Sequence, residues 1–559
     1  MASLNPITGV LGKKGAAHLL RRATWGPGPA DIEAFAALTA SAALDTLFAP
    51  PAVPAPPVDV LTGDSWVNPP TKPVAIEDVN SDQDTLFNFF RAWHLEQMRK
   101  SGNNLQERIT YFYHTHLPAA WSVIGSSEAV YYQNALFRYY AFGNFKTLFK
   151  KICLDNAMLR YIDGETNDKD SPNENFAREM FELYSIGRGP QLAEGNYTNY
   201  TEDDIKAACR VLTGWRFDPT FTNLDPDTSI PAGKLETENS TGLPVTELAV
   251  RHDKDPKVFT AAFGNQTIQP DEIIETLATK EAASKEFDDL IEMIFAREET
   301  ARFICRKLYR FFVYWKISAE VETDIINPLA TTFRTGNYEM EPVLRQLLAS
   351  EHFYDTDTPV TSDNSIGALI KTPLEIIIGS LRFFDVEMPA TLSDLYEKSY
   401  LNGILPMILE QGLDFYEPID VSGYPPYSQE PTYNRDWITP NAIGHRYHFS
   451  NILMGRLDEG GDYGFQLDVV DWVRNSGNIS DPSNAETLVQ TLTLNLLAVE
   501  IDTDRYNYFL NDVFLDNLAP ATWTTEWNLY TSGGNDDVVR AQLETLVAAL
   551  MQTPEFQLF

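Results

Sequence analysis

Apolar residues recur at helical spacing along most of this chain, with one stretch of strand-like alternation and one long irregular segment breaking the pattern. Residues 14–49 read as three short helices: one over Ala16 to Arg22, one over Asp31 to Phe35 after a Gly/Pro turn, and one over Ala42 to Phe48. Prolines then crowd the chain from Ala49 to Pro73, which predicts extended backbone on the surface. Long helical patterns run from Gln83 to Gly187. From Trp215 to about Ile268, Pro, Gly, Thr and Asn interleave with short runs such as Leu248 to Arg251, the mark of a loop-rich β-hairpin excursion. Helical periodicity returns at Asp271 and holds to Phe353, and the apolar stretch from Phe303 to Trp315 predicts a central helix. After a polar loop at 354–366, helices are expected over Ile370 to Phe384 and Ser393 to Gly412. The segment from Tyr416 to Asn441, dense in aromatics and prolines, is a loop of the length that usually covers something.

The predicted fold is mainly α, a large multi-helix body with a small β-containing insertion and a long irregular aromatic and Pro-rich loop. It divides into N-terminal helices (1–49), a Pro-rich linker (50–79), a helical core (80–214), a loop-rich β insertion (215–270), a second helical core (271–415), the irregular loop (416–441) and C-terminal helices (442–559).

Composition narrows the partners. A hydrophobic fraction of 43% with 25 Tyr and 32 Phe supplies a sizeable core. A formal charge of -36 repels phosphate backbones and anionic lipid, so no nucleic acid is expected as partner. No apolar run approaches the ~20 residues that span a bilayer, so no integral membrane segment is expected. Cys153, Cys209 and Cys305 show no zinc-ligand spacing and read as buried thiols. The N-terminus lacks the pattern of a signal peptide, so the chain is either cytoplasmic or a mature form.

Asp163-Gly164-Glu165-Thr166-Asn167-Asp168-Lys169-Asp170-Ser171-Pro172-Asn173-Glu174 places oxygen side chains at positions 1, 3, 5, 9 and 12, the ligand spacing of an EF-hand loop. In that reading Asp163, Glu165, Asn167, Ser171 and Glu174 hold Ca2+ by their side chains and Lys169 by its carbonyl. Asp168 stands where the sharp turn favours Gly. The alternative is a solvated acidic connection with Asn173 capping the next helix.

Other candidates are polar residues on apolar faces. His114 and His116 sit in Tyr113-His114-Thr115-His116, where a regular helix points the two rings nearly opposite ways, so a shared metal requires unwinding near Pro118. Glu179 lies at the edge of the buried face of Phe176, Met180 and Leu183, beside Asn175 and Glu182. It is either a tuned general acid or base or half of a structural Arg pair. Glu174 and Arg178 form an i,i+4 pair. His252 neighbours Asp253 within the insertion, but adjacent strand residues face opposite ways. There is no Gly-rich phosphate loop, no His-Glu-x-x-His and no Gly-x-Ser-x-Gly.

Several blocks together resemble the bacterial family called domain of unknown function 1800. These are Ala16 to Pro27, Gln106 to His116, Tyr132 to Arg138, Ala157 to Asp163, Asn173 to Leu183, Leu212 to Trp215, Lys371 to Glu375, Val421 to Pro425 with Trp437-Ile438, and Thr553 to Gln557. Tyr113 stands where relatives tend to have Trp. The resemblance implies a mainly helical bacterial protein, often exported, and often encoded beside an alkaline-phosphatase-like companion of the domain of unknown function 1501 family. It supplies no activity. The expectation is therefore an extracytoplasmic, calcium-stabilised protein (periplasm or cell surface) whose polar cleft gathers His114, His116, Asn175, Glu179 and His252. If it is an enzyme, it is an acid–base hydrolase of an exported polymer or surface substrate. The rival is a surface or assembly scaffold that binds the companion through loop 416–441. A redox metalloprotein built on His114 and His116 is a third reading, short of ligands.

Overall fold

The computed structural model describes residues 2–67, 82–357, 367, 369–456 and 463–559. The fold is mainly α, as the periodicity predicts, with short two-stranded antiparallel sheets. The first three helices are Gly12–Ala23, Pro29–Ala36 and Ala40–Leu47. Each boundary has a local cause. Thr24 closes the first helix by donating from Oγ1 to the Leu20 carbonyl at 2.6 Å, Pro29 occupies the first turn of the second, and Thr39 caps the third. Part of the Pro-rich stretch, residues 68–81, and part of the polar loop, residues 358–366, fall outside the described residues.

Three helices build the centre. In Gln106–His116 every residue from Glu107 to His116 is buried. Glu298–Phe312 buries Ile304, Cys305, Leu308, Tyr309, Phe311 and Phe312, the central position its apolar run predicts. Pro373–Phe383 opens with a capping box in which Thr372 and Glu375 satisfy each other's backbone N–H groups. One contiguous buried cluster includes residues from Ala2 to Phe556. The turn after Gly12–Ala23 meets Pro373–Phe383 at Gly26, whose backbone has φ of +106° and where a Cβ would lie 2.8 Å from the Gly379 Cα. Only glycine allows that approach.

The insertion pairs Trp215–Arg216 with Lys234–Leu235, Thr237–Asn239 with Glu247–Ala249, and Lys257–Val258 with Thr267–Ile268. The next helix does not start at Asp271. Ile273–Ile274 and Leu277–Ala278 form a further hairpin through left-handed Glu275 and Thr276, and the helix Lys280–Phe295 begins after its cap Thr279. Tertiary contact decides this: the Glu275 carboxylate accepts from the Thr241 and Gly242 backbone N–H groups and fixes the turn.

Candidate functional site

The segment from Tyr416 carries only short turns of helix, Pro425–Ser428 and Tyr433–Trp437, before the helix Pro440–Leu453 begins, and side chains hold the backbone between them. Tyr424 accepts at its hydroxyl from the Tyr416 N–H at 2.9 Å and lies 3.1 Å from His114 Nε2. The hydroxyl therefore donates to His114. The Tyr416 hydroxyl reaches His94 at 2.9 Å, and its ring packs 4.2 Å from that of His114. Gly423, with φ of +95°, lets the chain pass where a Cβ would be 3.0 Å from the Thr115 carbonyl. His114 thus anchors the loop. Burial holds its pKa down to about 3, so it is neutral.

Beyond this anchor the loop roofs a cleft. Its floor is Arg108, Phe112, Thr115 and His116 of Gln106–His116, its wall Lys307, Arg310 and Phe311 of Glu298–Phe312, and its roof Tyr427, Tyr433, Asn434 and Trp437. The interior is small, about 40 Å³. Three groups in it are unspent. Lys307 has no hydrogen-bond or ion-pair partner among the described residues, and burial followed by Arg310 pushes its pKa down to about 8. Asn434 is 9% exposed and both its amide oxygen and nitrogen lack partners. His116 uses Nε2 to donate to the Tyr184 carbonyl at 3.0 Å, which leaves Nδ1 as an unpartnered acceptor. Burial, then Lys307, holds His116 at about 3 and neutral. Arg310 stacks 4.6 Å over Tyr433, with Glu430 only loosely opposed at 3.9 Å. A buried polar group without a partner is costly, so such a cluster asks what completes it.

The other sequence candidates go to separate places. His114 and His116 point apart from a regular helix, to Tyr424 and to Tyr184. Glu179 ends the helix Glu174–Glu179, which passes directly into a π-turn, Met180–Ser185. Among the described residues it has no Arg pair: Arg178 makes two 2.7 Å bonds to Glu202 and a 3.3 Å contact with Glu174. Burial, then the like charge of Glu182, pushes the Glu179 carboxyl up to about 7. Nearby, the phenols of Tyr161 and Tyr184 donate to the Asp420 and Val421 carbonyls at 3.0 Å, joining this helix to the loop. Asn175 reaches the Ile162 carbonyl at 3.4 Å. His252 lies in the insertion, 2.5 Å from Glu286, which also holds Lys257 at 2.7 Å. All three are buried, and Asp253 turns the other way to Arg210 at 2.6 Å.

In the acidic loop, Asn167 is fully buried and its amide joins chain segments: Nδ2 donates to the Cys209 carbonyl at 2.8 Å and Oδ1 accepts from the Asn173 N–H at 2.9 Å. Glu165 lies 3.4 Å from Arg160, and Asp168 3.1 Å from Arg216. The Lys169 ammonium donates to the Val250 carbonyl, the Ser171 N–H to the Asp168 carbonyl. Asp163 takes left-handed backbone at the loop's start. Among the described residues no three His, Cys, Asp or Glu side chains gather as a metal-holding group. The three cysteines are free and buried. No described helix is long and apolar enough to cross a membrane.

Sequence reasoning missed Lys307, Arg310 and Asn434. The signal was present in the polar Lys307 and Arg310, spaced i,i+3 within an otherwise aromatic run.

A family model described as a protein of unknown function (DUF1800) matches residues 18–558. No curated protein and no solved structure matches the chain.

Proposed function

From the premise that this chain belongs to the DUF1800 family of proteins of unknown function, we propose that it is a binding protein whose roofed cleft takes a small anionic group, of carboxylate or phosphate size. The observation that carries this reading is that, among the described residues, the Asn434 amide lacks hydrogen-bond partners and Lys307 lacks a hydrogen bond or ion pair, its ammonium lying only 5.5 Å over the Phe303 ring, in one aromatic-walled cleft. An ammonium held out of water gains most from an anion placed against it, and the Asn434 amide supplies a directed donor beside it. The interior of about 40 Å³ admits the anionic end of a ligand. Its body lies along Trp315, Tyr433 and Trp437 at the mouth.

The test is thermal unfolding of the full chain with acetate or inorganic phosphate at pH 7 and constant ionic strength. Saturation at about a hundredfold excess over Kd stabilises by ~2.7 kcal/mol. The midpoint should rise for the wild type and not for Lys307→Met or Asn434→Ala. A wild-type midpoint indifferent to both anions, with chloride as control, refutes the reading.

Two further readings have specific support. An acid–base hydrolase of an exported polymer draws on Glu179, a carboxyl poised at about 7 without an ion-pair partner among the described residues. Hydrolysis retained in Glu179→Gln ends it. A scaffold for the alkaline-phosphatase-like companion draws on Ile419, 79% exposed on the loop. Co-purification that survives Ile419→Asp ends that one. Either role suits an extracytoplasmic setting.

A further inference from the structure

A second cavity lies on the far side of Glu375 from the roofed cleft, and its chemistry is different. Lys371 enters it from the residue before the Thr372 cap, Trp25 and Arg21 from the end of Gly12–Ala23 and its following turn, and Phe556 from the C-terminal segment. Three of the blocks that carry the family resemblance therefore converge here. The Lys371 side chain is 8% exposed, and its Nζ sits 4.2 Å over the Phe556 ring. It has no hydrogen bond or ion pair among the described residues. Trp25 is fully buried and its Nε1–H has no acceptor among the described residues. Arg21 lines the same space and donates to the Asn495 carbonyl at 2.6 Å.

We propose that Lys371 is a carbonyl-reactive amine that condenses with a small 2-oxo acid in this cavity. A buried ammonium close to two guanidinium groups is held near its uncharged form, against the pull of the Phe556 ring face, which favours the cation. The charged groups facing it are Arg21 from the first helix, Arg446 from Pro440–Leu453, and Glu375 on its own helix. Glu375 is already engaged, by Arg108 at 2.5 Å and by the Thr372 N–H at 2.7 Å. Burial and the two arginines push the Lys371 amine down to about 7. A lysine so placed is a nucleophile at neutral pH.

The reaction balances without a redox partner. The Nζ lone pair attacks the carbonyl carbon, a C–N bond forms, and the carbonyl π pair moves to oxygen. One amine proton passes to that oxygen to give the carbinolamine. The C–O bond then breaks, the oxygen takes the second amine proton and leaves as water, and the C=N bond of the imine remains. The carboxylate of the oxo acid is received by Arg21 and the unpartnered Trp25 Nε1–H. The interior is small, about 40 Å³, so the smallest oxo acids are favoured over larger ones.

The test is to incubate the full chain with glyoxylate or pyruvate and cyanoborohydride at pH 7, and to map reduced adducts by peptide mass spectrometry. Lys371 should be modified at least about tenfold faster than exposed Lys285, whose pairing with Asp289 raises its pKa and keeps the amine protonated. Lys371→Arg should lose that adduct and keep the slow background. An unmodified Lys371 in the wild type, or labelling no faster there than at Lys285, overturns the proposal. The wild-type map decides even where the variant does not fold.

Discussion

Arg108 and Glu375 form an ion pair at 2.5 Å with side chains only 1% and 6% exposed, and this pair is the partition between the two cavities. The guanidinium lies between Trp25, 4.8 Å away and part of the Lys371 cavity, and Phe311, 4.9 Å away and part of the roofed cleft. Glu375 lines both. The two cavities thus share a wall made from a single charge pair.

Removing one member leaves the other buried and uncompensated, which costs about 3–5 kcal/mol. Arg108→Met should lower the unfolding free energy read from urea denaturation by that amount. The double variant Arg108→Met with Glu375→Leu should recover a large part of it, because two apolar side chains carry no desolvation debt. If the double variant is as unstable as the sum of the singles, the pair is not an isolated unit and the partition is held by its neighbours.

How far the sequence reveals this arrangement depends on the range of the interaction. Helices from Gly12 to Leu47 are legible because caps and periodicity are local. The covering role of 416–441 is legible because Pro, Tyr and Trp in a long irregular run have few other uses. The cleft itself is not. Lys307 and Asn434 line one cleft from far apart in the chain, and the run around Lys307 reads as apolar helix. Lys371 reads only as a position ahead of a capping box, since its solitude follows from Phe556, Arg21 and Arg446, far away in the chain. The hairpin at 273–278 escapes for the same reason, as its turn is set by Thr241 and Gly242.

Lys371 gives a pH signature of its own. Its folded pKa of about 7 lies below the ordinary 10.5, so between those values the unfolded chain binds a proton that the folded chain lacks. Stability contributed by this group therefore rises as pH increases through that window. Urea midpoints of the wild type minus those of Lys371→Met should climb between about pH 7 and 10. A flat difference means that the amine stays charged in the fold.

Glu179 acts with the opposite sign. Its folded pKa of about 7 lies above the ordinary 4.5, so from 4.5 to 7 the folded chain holds a proton that the unfolded chain has released. Stability from this group falls as pH rises across that range. Glu179→Gln should match the wild type near pH 4.5 and exceed it at pH 8, read as the difference in urea midpoint. Equal stability at both values places the carboxyl in water and removes the basis for an acid–base role.

Asn167 tests whether the acidic loop is tied by protein or by calcium. Its amide bonds to Cys209 and Asn173, and its carbonyl accepts from the Gly214 N–H at 2.9 Å and from Arg216 at 3.0 Å. Asn167→Ala leaves the Cys209 carbonyl and the Asn173 N–H without these partners, at a cost of about 1–3 kcal/mol. With Asn167 already committed and Glu165 and Asp168 turned to arginines, calcium in the millimolar range should leave the wild-type melting midpoint unchanged, and a chelator should do the same. A midpoint that rises with calcium and falls with the chelator would show instead that Asp163, Glu165 and Glu174 swing inward to meet the ion. Its absence in Asn167→Ala would then assign the fifth position of the loop as a ligand.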